Sequence, residues 1–157
     1  MAIVMLLFTG EHTNKVDRKG RVSLPADFRA ELPDGDDRFI YVYPAPRKAF
    51  ALEAVNRAQL QARAQSIDAH GMYTPEQEYF SNVILGRARK LSIDGDGRIV
   101  LPAEFLDHAK VDGLAMFVGG GQQFHIWQPE RYGVYLRESL QSAPGFTLPP
   151  PRQEPAS

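Results

Sequence analysis

Residues Asp17–Phe28 read DRKGRVSLPADF, and residues Asp94–Phe105 read DGDGRIVLPAEF. Aspartate, glycine, arginine, leucine, proline, alanine and phenylalanine recur in register. Two further positions exchange valine for isoleucine and aspartate for glutamate. The copies lie about half a chain apart, and such internal sequence similarity is typical of a repeat architecture. The sequence therefore predicts two tandem copies of one small unit.

Each copy predicts a tight turn between two short β-strands. An aspartate side chain can accept hydrogen bonds from backbone N–H groups that follow it, and glycine readily adopts a positive φ. Asp17 and Gly20 are therefore assigned to the first turn, and Asp94 and Gly97 to the second. The apolar residues after the turns alternate as in a half-buried strand, and they are Val22, Leu24, Ile99 and Leu101.

Each return strand ends at a proline, Pro25 in the first copy and Pro102 in the second. Proline suits the first turn of a helix, so short helices are predicted at residues 26–32 and 103–109. A second hairpin follows in each copy, RFIYVYP with KAFALEA and LAMFVGG with QFHIWQP. A unit this small cannot bury a core alone, so the two units are expected to share one.

The rest of the chain predicts helices and a tail. Helical patterns cover residues 53–66, 75–88 and 129–140, and the proline-rich end predicts disorder. The packing residues expected from these patterns are Val55, Ala58, Ala62, Tyr79, Val83, Leu85, Tyr132, Tyr135 and Leu136. The resulting division is a first unit at 8–54, connecting helices at 55–87, a second unit at 88–131, the end of a C-terminal helix at 132–140 and a disordered tail at 141–157.

The DGDG segment at residues 94–97 resembles the middle of a calcium-binding EF-hand loop. Such a loop needs oxygen ligands at positions 1, 3 and 5, glycine at 6 and a bidentate glutamate at 12. With Gly97 at position 6, Ala103 falls at position 12, and the first copy has Lys19 where the second has Asp96. The pattern therefore favours a turn, and neither a metal nor a cofactor is expected.

A turn does not explain the arginine that both copies carry just after it, Arg21 and Arg98. Other basic residues cluster nearby, although the whole chain has a net charge of −1. Such clusters are typical of a solvated surface or of a surface that binds an anionic partner. The spacing of the shared aspartate and arginine also permits a salt bridge, which would orient the guanidinium. The neighbouring cations are Lys15, Arg18, Lys19, Arg89 and Lys90.

Composition and motifs argue against several function classes. The chain has no cysteine, which excludes a disulfide framework and a zinc–sulfur site. No nucleotide-binding or hydrolase motif is present, so neither enzymatic activity nor a small-molecule substrate is expected. The apolar N-terminal stretch is too short for a membrane helix and lacks the marks of a signal peptide. The histidines, which lack metal-ligand spacing, are His12, His70, His108 and His125.

The stretches HTNKVDRKGRVSLPADFR and LSIDGDGRIVLPAEF, one in each half of the chain, resemble the MraZ family of bacterial transcriptional regulators. That family belongs to the AbrB-like (SpoVT-AbrB) superfamily of swapped-hairpin DNA-binding proteins. The likeness extends from about Phe8 to Leu140, and its Asp-x-x-x-Arg motif is specific because it is duplicated.

The resemblance implies an α+β, β-rich fold. Two strand–turn–strand–helix–hairpin units would close a double-psi-like swapped-hairpin β-barrel with additional packing helices. It also implies a homo-oligomeric ring that binds short direct repeats of double-stranded DNA in the promoter of the division and cell-wall gene cluster. Such a protein is expected in the cytoplasm, associated with the nucleoid. A related module that binds protein, as an antitoxin does, is the alternative.

By motif match, the resemblance assigns DNA contact to Asp17 with Arg21 and to Asp94 with Arg98. The two arginines, at strand starts, are expected to read bases, while more flexible cations bind phosphates. Asp96 stands where a basic residue is more usual, so the second copy is expected to bind phosphate less well. The cations expected to bind phosphates are Lys15, Arg18 and Lys19, with Arg89 and Lys90 compensating in the second copy.

Overall fold

The computed structural model describes residues 5–33, 38–69, 71–142, 145 and 147–151. The strands are β1 (Glu11–Lys15), β2 (Arg21–Ser23), β3 (Phe39–Pro44), β4 (Leu52–Val55), β5 (Arg89–Ser92), β6 (Arg98–Val100), β7 (Leu114–Gly119) and β8 (Phe124–Trp127). The helices are α1 (Ala26–Glu31), α2 (Arg57–Asp68), α3 (Pro75–Tyr79), which continues as a π-helical segment (Phe80–Leu85), α4 (Ala103–Ala109) and α5 (Pro129–Ser142). The fold is α+β, as predicted.

Six strands form one antiparallel sheet in the order β1-β7-β8-β4-β3-β5. Both predicted second hairpins are present, because β3 pairs with β4 and β7 pairs with β8. The first strand of each sequence copy pairs with the opposite copy, β1 with β7 and β5 with β3. The order therefore reads the same from both edges once equivalent strands of the two copies are exchanged.

The return strands β2 and β6 stand outside this sheet and pair with each other, forming what we call the β2–β6 ribbon. Val22 lies opposite Ile99 in the ribbon, and both side chains are buried. Because successive side chains of a strand point to opposite faces, the neighbours of these two residues share the outer face. Those four residues are Arg21, Ser23, Arg98 and Val100.

The main core is shared by the two copies, as the size of each unit predicts. Helices α1 and α4 contribute Phe28 and Phe105, which are 0% and 1% exposed. Phe124 of β8 also lies in this cluster, within ring contact of Phe28. Equivalent positions of the two copies therefore meet in one apolar interior.

Helix α2 begins later than predicted. The Asn56 side chain accepts a hydrogen bond from the Gln59 backbone N–H at 2.8 Å, which caps the helix at its first turn. The later start places Leu60 on the buried face, with Ala64 and Ile67 packed beside it. The predicted face was wrong, because Val55 belongs to β4 and Ala58 and Ala62 are exposed.

The helix predicted from residue 75 also differs in its packing face. Thr74 caps it and Pro75 occupies its first turn, but the chain widens into π-helical hydrogen bonding after Tyr79. The wider turn changes which side chains face the sheet, so Phe80 and Ile84 are buried instead. Tyr79 is 50% exposed and Leu85 is 42% exposed, which contradicts their prediction as packing residues.

Helix α5 agrees with its prediction in position and packing. Tyr132 is buried against Trp127, and Tyr135 and Leu136 pack beside them. The helix extends to Ser142, two residues into the segment predicted as a tail. Of that tail, residues 143, 144, 146 and 152–157 lie outside the described residues, as does His70. No helix in the described ranges combines the length and the apolar character needed to cross a membrane.

A buried polar network joins α2 to the sheet. The Tyr43 hydroxyl donates to the Glu53 carboxylate, and His125 Nε2 lies 3.0 Å from the other carboxylate oxygen. Arg63 of α2 binds Glu53 at 2.8 Å and donates to Gln123 Oε1 at 2.8 Å. Because these hydrogen bonds surround it, the pKa of Glu53 falls to about 2 even though burial opposes the charge.

Candidate functional site

The two turns hold their arginines with the same hydrogen bonds. In the first, Asp17 Oδ1 accepts from the backbone N–H groups of Lys19 and Arg21, both at 2.9 Å. Asp17 Oδ2 accepts from Arg21 Nε at 2.6 Å. One carboxylate therefore closes the turn and also fixes the direction of the arginine that follows it.

The second turn repeats this arrangement and adds one contact. Asp94 Oδ1 accepts from the N–H groups of Asp96 and Arg98 at 2.9 Å, and Asp94 Oδ2 accepts from Arg98 Nε at 3.1 Å. Arg98 Nη2 also donates to Asp96 Oδ2 at 3.2 Å. Arg98 is therefore held by two carboxylates, while Arg21 is held by one.

Both shared aspartates are stabilised as anions. The backbone N–H of Arg21, followed by its side chain, lowers the pKa of Asp17. The backbone N–H of Arg98 has the largest lowering effect on the pKa of Asp94. Each arginine thus keeps a charged partner at its Nε. Arg21 makes no further ion pair within the described residues, whereas Arg98 also binds Asp96 through Nη2.

The β2–β6 ribbon brings Arg21 and Arg98 onto one surface. Arg21 lies opposite Val100 and Arg98 opposite Ser23, so the two arginines are diagonal neighbours. Diagonal positions of an antiparallel pair lie about 7–8 Å apart. Both arginines line a shallow groove of about 490 Å³ beside the ribbon, with Lys15 at its edge. Two segments half a chain apart in sequence thus form a single site.

Sequence reasoning missed two residues of this surface, Ser23 and Val100. Both are exposed on the outer face between the arginines, and Val100 is 52% exposed. An exposed valine there supplies an apolar contact point, and a serine supplies a hydroxyl donor and acceptor. Strand alternation from Arg21 and Arg98 could have identified them, because residues two apart share a face.

The predicted phosphate-binding cations fall into two groups. Lys15, Arg18 and Lys19 are exposed, and within the described residues they make no ion pair. Arg89 is instead bound to Glu104 at 2.8 Å, and Lys90 lies 4.1 Å from the centroid of the Phe39 ring. Arg89 and Lys90 line a separate depression next to α4 rather than the groove beside the ribbon. The structure therefore does not bring all seven predicted cations together.

The two turn glycines provide a matched test of the turn geometry. Gly20 has φ +84°, and a Cβ there would lie 2.4 Å from the Leu101 carbonyl oxygen. Gly97 has φ +77°, but its Cβ would meet the flexible end of the Arg29 side chain. Gly97→Ala is expected to lower the free energy of unfolding by about 1–2 kcal/mol, because alanine is strained in the left-handed backbone conformation. Gly20→Ala is expected to lower the free energy of unfolding by about 1–3 kcal/mol more than Gly97→Ala, because the backbone at Leu101 must move to make room for the methyl group.

Urea unfolding of both variants at one fixed chain concentration checks this difference. Equal losses for Gly20→Ala and Gly97→Ala would contradict the close backbone approach at Gly20.

The sequence profile of the family described as "MraZ protein, putative antitoxin-like" matches residues 7–42 and 84–148. The chain belongs to the MraZ family. The protein named transcriptional regulator MraZ from Rickettsia bellii (strain OSU 85-389) is 38% identical over 130 residues, covering 83% of this chain and 86% of that protein. The protein of the same name from Rickettsia akari (strain Hartford) is 37% identical over 141 residues, covering 88% and 93%.

The region matched to the MraZ profile contains both turns and the whole β2–β6 ribbon. The unmatched residues 43–83 include β4, α2 and α3. Glu53 and Arg63 of the buried network belong to that unmatched part. The resemblance found in the sequence is therefore confirmed at family level.

Proposed function

We propose that this chain is a sequence-specific transcriptional regulator that binds double-stranded DNA through the outer face of the β2–β6 ribbon. The observation that carries the proposal is the placement of Arg21 and Arg98 side by side, each aimed by its own aspartate. The name of the relatives, transcriptional regulator, supports the same conclusion. In this proposal the ribbon reads DNA and the remaining fold supports it.

A two-stranded β-ribbon fits the major groove of B-form DNA. There the outer nitrogens of Arg21 and Arg98 meet guanine O6 and N7, a contact worth about 1–3 kcal/mol of discrimination. Fixing Nε by an aspartate reduces the freedom that each guanidinium loses on binding. Lys15, Arg18 and Lys19, exposed around the first turn, contact phosphates and supply affinity. Arg89 and Lys90 have a minor role, because each already has a partner.

The finer fold and assembly are part of the same proposal. The exchange of first strands between the two copies supports a swapped-hairpin, double-psi-like barrel built from units 8–54 and 88–131. With a net charge of −1, one chain offers few cations to DNA. A homo-oligomeric ring on direct repeats gains affinity instead because linked sites raise the effective concentration. The target is the promoter of the division and cell-wall gene cluster, and the protein acts in the cytoplasm at the nucleoid, without catalysis.

Because the proposed ring binds several repeats at once, its affinity for DNA is expected to depend strongly on the number of repeats. A duplex with two or more correctly spaced repeats is expected to bind at least about 100-fold more tightly than a duplex with one. Fluorescence anisotropy with labelled duplexes measures this, and a duplex whose repeats are moved by half a helical turn is the control. Equal affinity for one repeat and several would contradict the ring on spaced repeats.

The central test measures binding of a labelled duplex with the chain's own upstream promoter over a salt series. Arg21→Ala is expected to weaken binding by about 5- to 150-fold, the loss of one bidentate base contact. Arg98→Ala is expected to lose less, because Asp96 already occupies part of its guanidinium. Lys19→Ala is expected to weaken all sequences alike and to reduce the salt slope by about 1.

Arg137→Ala is the matched control, since it removes the same charge from an exposed site on α5. Oligomer size is measured for every variant, so that lost binding is not confused with lost assembly. Salt-independent binding by the wild type, or unchanged binding by Arg21→Ala, would overturn the proposal.

A second candidate function is an AbrB-like module that binds protein, as the words "antitoxin-like" in the family description suggest. The exposed residues Met72 and Tyr73, 71% and 90% exposed between α2 and α3, favour such a surface. DNA binding and assembly of the wild type and of Arg21→Ala discriminate between the two functions. Loss of DNA binding with assembly retained supports the regulator, whereas absence of wild-type DNA binding favours the protein-binding module.

A further inference from the structure

The β2–β6 ribbon is symmetric in its arginines. An axis through the Val22–Ile99 pair exchanges Arg21 with Arg98 and Ser23 with Val100. The connecting hydrogen bonds follow the same axis, since Leu24 N–H donates to the Gly97 carbonyl at 2.9 Å and Leu101 N–H donates to the Gly20 carbonyl at 2.8 Å. A surface with only this symmetry offers its two arginines equally in either direction along a duplex.

The turns at the two ends of the ribbon break this symmetry by charge. From Lys15 to Arg21 the chain carries four basic residues against Asp17, a net charge of +3. The equivalent segment, residues 92–98, carries only Arg98 against Asp94 and Asp96, a net charge of −1. Lys19 and Asp96 occupy the same position in the two copies, so the largest contrast lies at the turn tips.

Neighbouring charges reduce this contrast without removing it. Arg29 Nη1 donates to the Asp96 carbonyl at 3.3 Å, which brings one positive charge to the second turn. Asp112, at the groove with Lys15, brings one negative charge to the side of the first turn. Counting both, the first end keeps an excess of two positive charges over the second. At physiological salt, charges on turn tips act on phosphates within about 8 Å.

We propose that the charge difference between the two turns seats each chain on its DNA site in one direction. The Lys15–Arg21 turn lies against the phosphate backbone, and the Asp94–Arg98 turn occupies the end where backbone contact is weaker. In the reverse direction Asp96 would face phosphates, and like charges brought together at an interface are unfavourable. This inference rests on the proposed DNA binding and adds the residues that set polarity, Lys19 and Asp96.

The test uses directed DNA cleavage from a single labelled position. The chain has no cysteine, so a cysteine introduced by Gly95→Cys is unique, and a Cβ at Gly95 meets nothing within 4 Å. An iron chelate attached there marks the end of the ribbon at the second turn. The probe is the chain's own promoter duplex, labelled in turn on each strand. A DNase footprint of the same samples records whether the protein is bound.

Cleavage is expected on one flank of each protected site, at least about fivefold stronger than on the other. In a chain that also carries Lys19→Asp with Asp96→Lys, cleavage is expected to move to the opposite flank. A chain with Asp96→Lys alone is expected to cut both flanks nearly equally. A footprint with equal cleavage of both flanks by Gly95→Cys, or an unchanged flank after the charge exchange, would overturn the inference. Absence of any footprint by the wild type would instead overturn the proposed function.

Discussion

Phe28→Ala is expected to lower the free energy of unfolding by about 3–5 kcal/mol. The Phe28 side chain is fully buried and stands at the junction of the two sequence copies. Its ring centroid lies 5.2 Å from that of Phe8 and 4.9 Å from that of Phe124. Its removal leaves a cavity whose lining comes from α1, β8 and the N-terminal segment, so collapse around it is limited.

Phe105→Ala is the comparison variant for this prediction. Phe105 is the equivalent residue of α4 and is 1% exposed, but within the described residues its ring makes no aromatic contact. We expect Phe105→Ala to destabilise less than Phe28→Ala by about 0.5–1.5 kcal/mol, the worth of an aromatic pair. Leu140→Ala, at an exposed site, is the surface control. Urea unfolding at fixed chain concentration measures all three, and a larger loss for Phe105→Ala would contradict the prediction.

Glu53→Ala is also expected to destabilise the protein by about 3–5 kcal/mol, because it leaves the buried partners of a charge unpaired. Glu53 is 8% exposed and accepts from Tyr43 and from Arg63, with His125 beside it. Without the carboxylate, the hydrogen bonds left to the Arg63 side chain among the described residues are those to Tyr43 and Gln123. Glu138→Ala on the exposed face of α5 is the matched control and is expected to change stability by under about 0.5 kcal/mol.

The stability of the protein is expected to depend on pH through ionisation of the Glu53 carboxylate. Its pKa is about 2 in the folded chain and near 4.5 when unfolded, so the unfolded state binds the proton more readily. The stabilisation is therefore present above pH 4.5 and is lost as pH falls from about 4.5 toward 2. Glu53→Gln is expected to lose stability at neutral pH and to flatten this part of the acid profile. An acid profile of Glu53→Gln parallel to that of the wild type would contradict the assignment.

The sequence predicted the elements that are determined by local chemistry. Asp17 and Asp94 form the turns because aspartate binds the backbone that follows it, and that rule needs no tertiary information. Pro25 and Pro102 precede α1 and α4 for an equally local reason. Tyr132, predicted as a packing residue from the helical pattern of α5, is buried.

The pairing of strands was beyond the same reasoning. Alternation in VSL and IVL indicates which side chains share a face, but it does not identify the partner strand. The ribbon therefore had to be observed before Arg21 and Arg98 could be placed on one surface. The packing face of α2 was missed for a different reason, because the capping role of Asn56, three residues before Gln59, was not recognised.

The buried network shows another limit of sequence patterns. Glu53 lies 10 residues from Arg63 and 72 residues from His125, and these spacings match no rule, so a single sequence does not indicate that the three side chains meet. Only the adjacency of β4 and β8, with α2 packed near them, brings the three side chains together.

The exchange of edge strands has a consequence for cutting the chain. The segment around Met72 and Tyr73 is exposed and joins the part with β1–β4 to the part with β5–β8. A protease nick there would leave two fragments that still hold each other, since each supplies a strand to the hairpin of the other. In the same way, two separately synthesised fragments are expected to reassemble into one folded molecule. Strand pairing, rather than the peptide link at that segment, holds the two parts together.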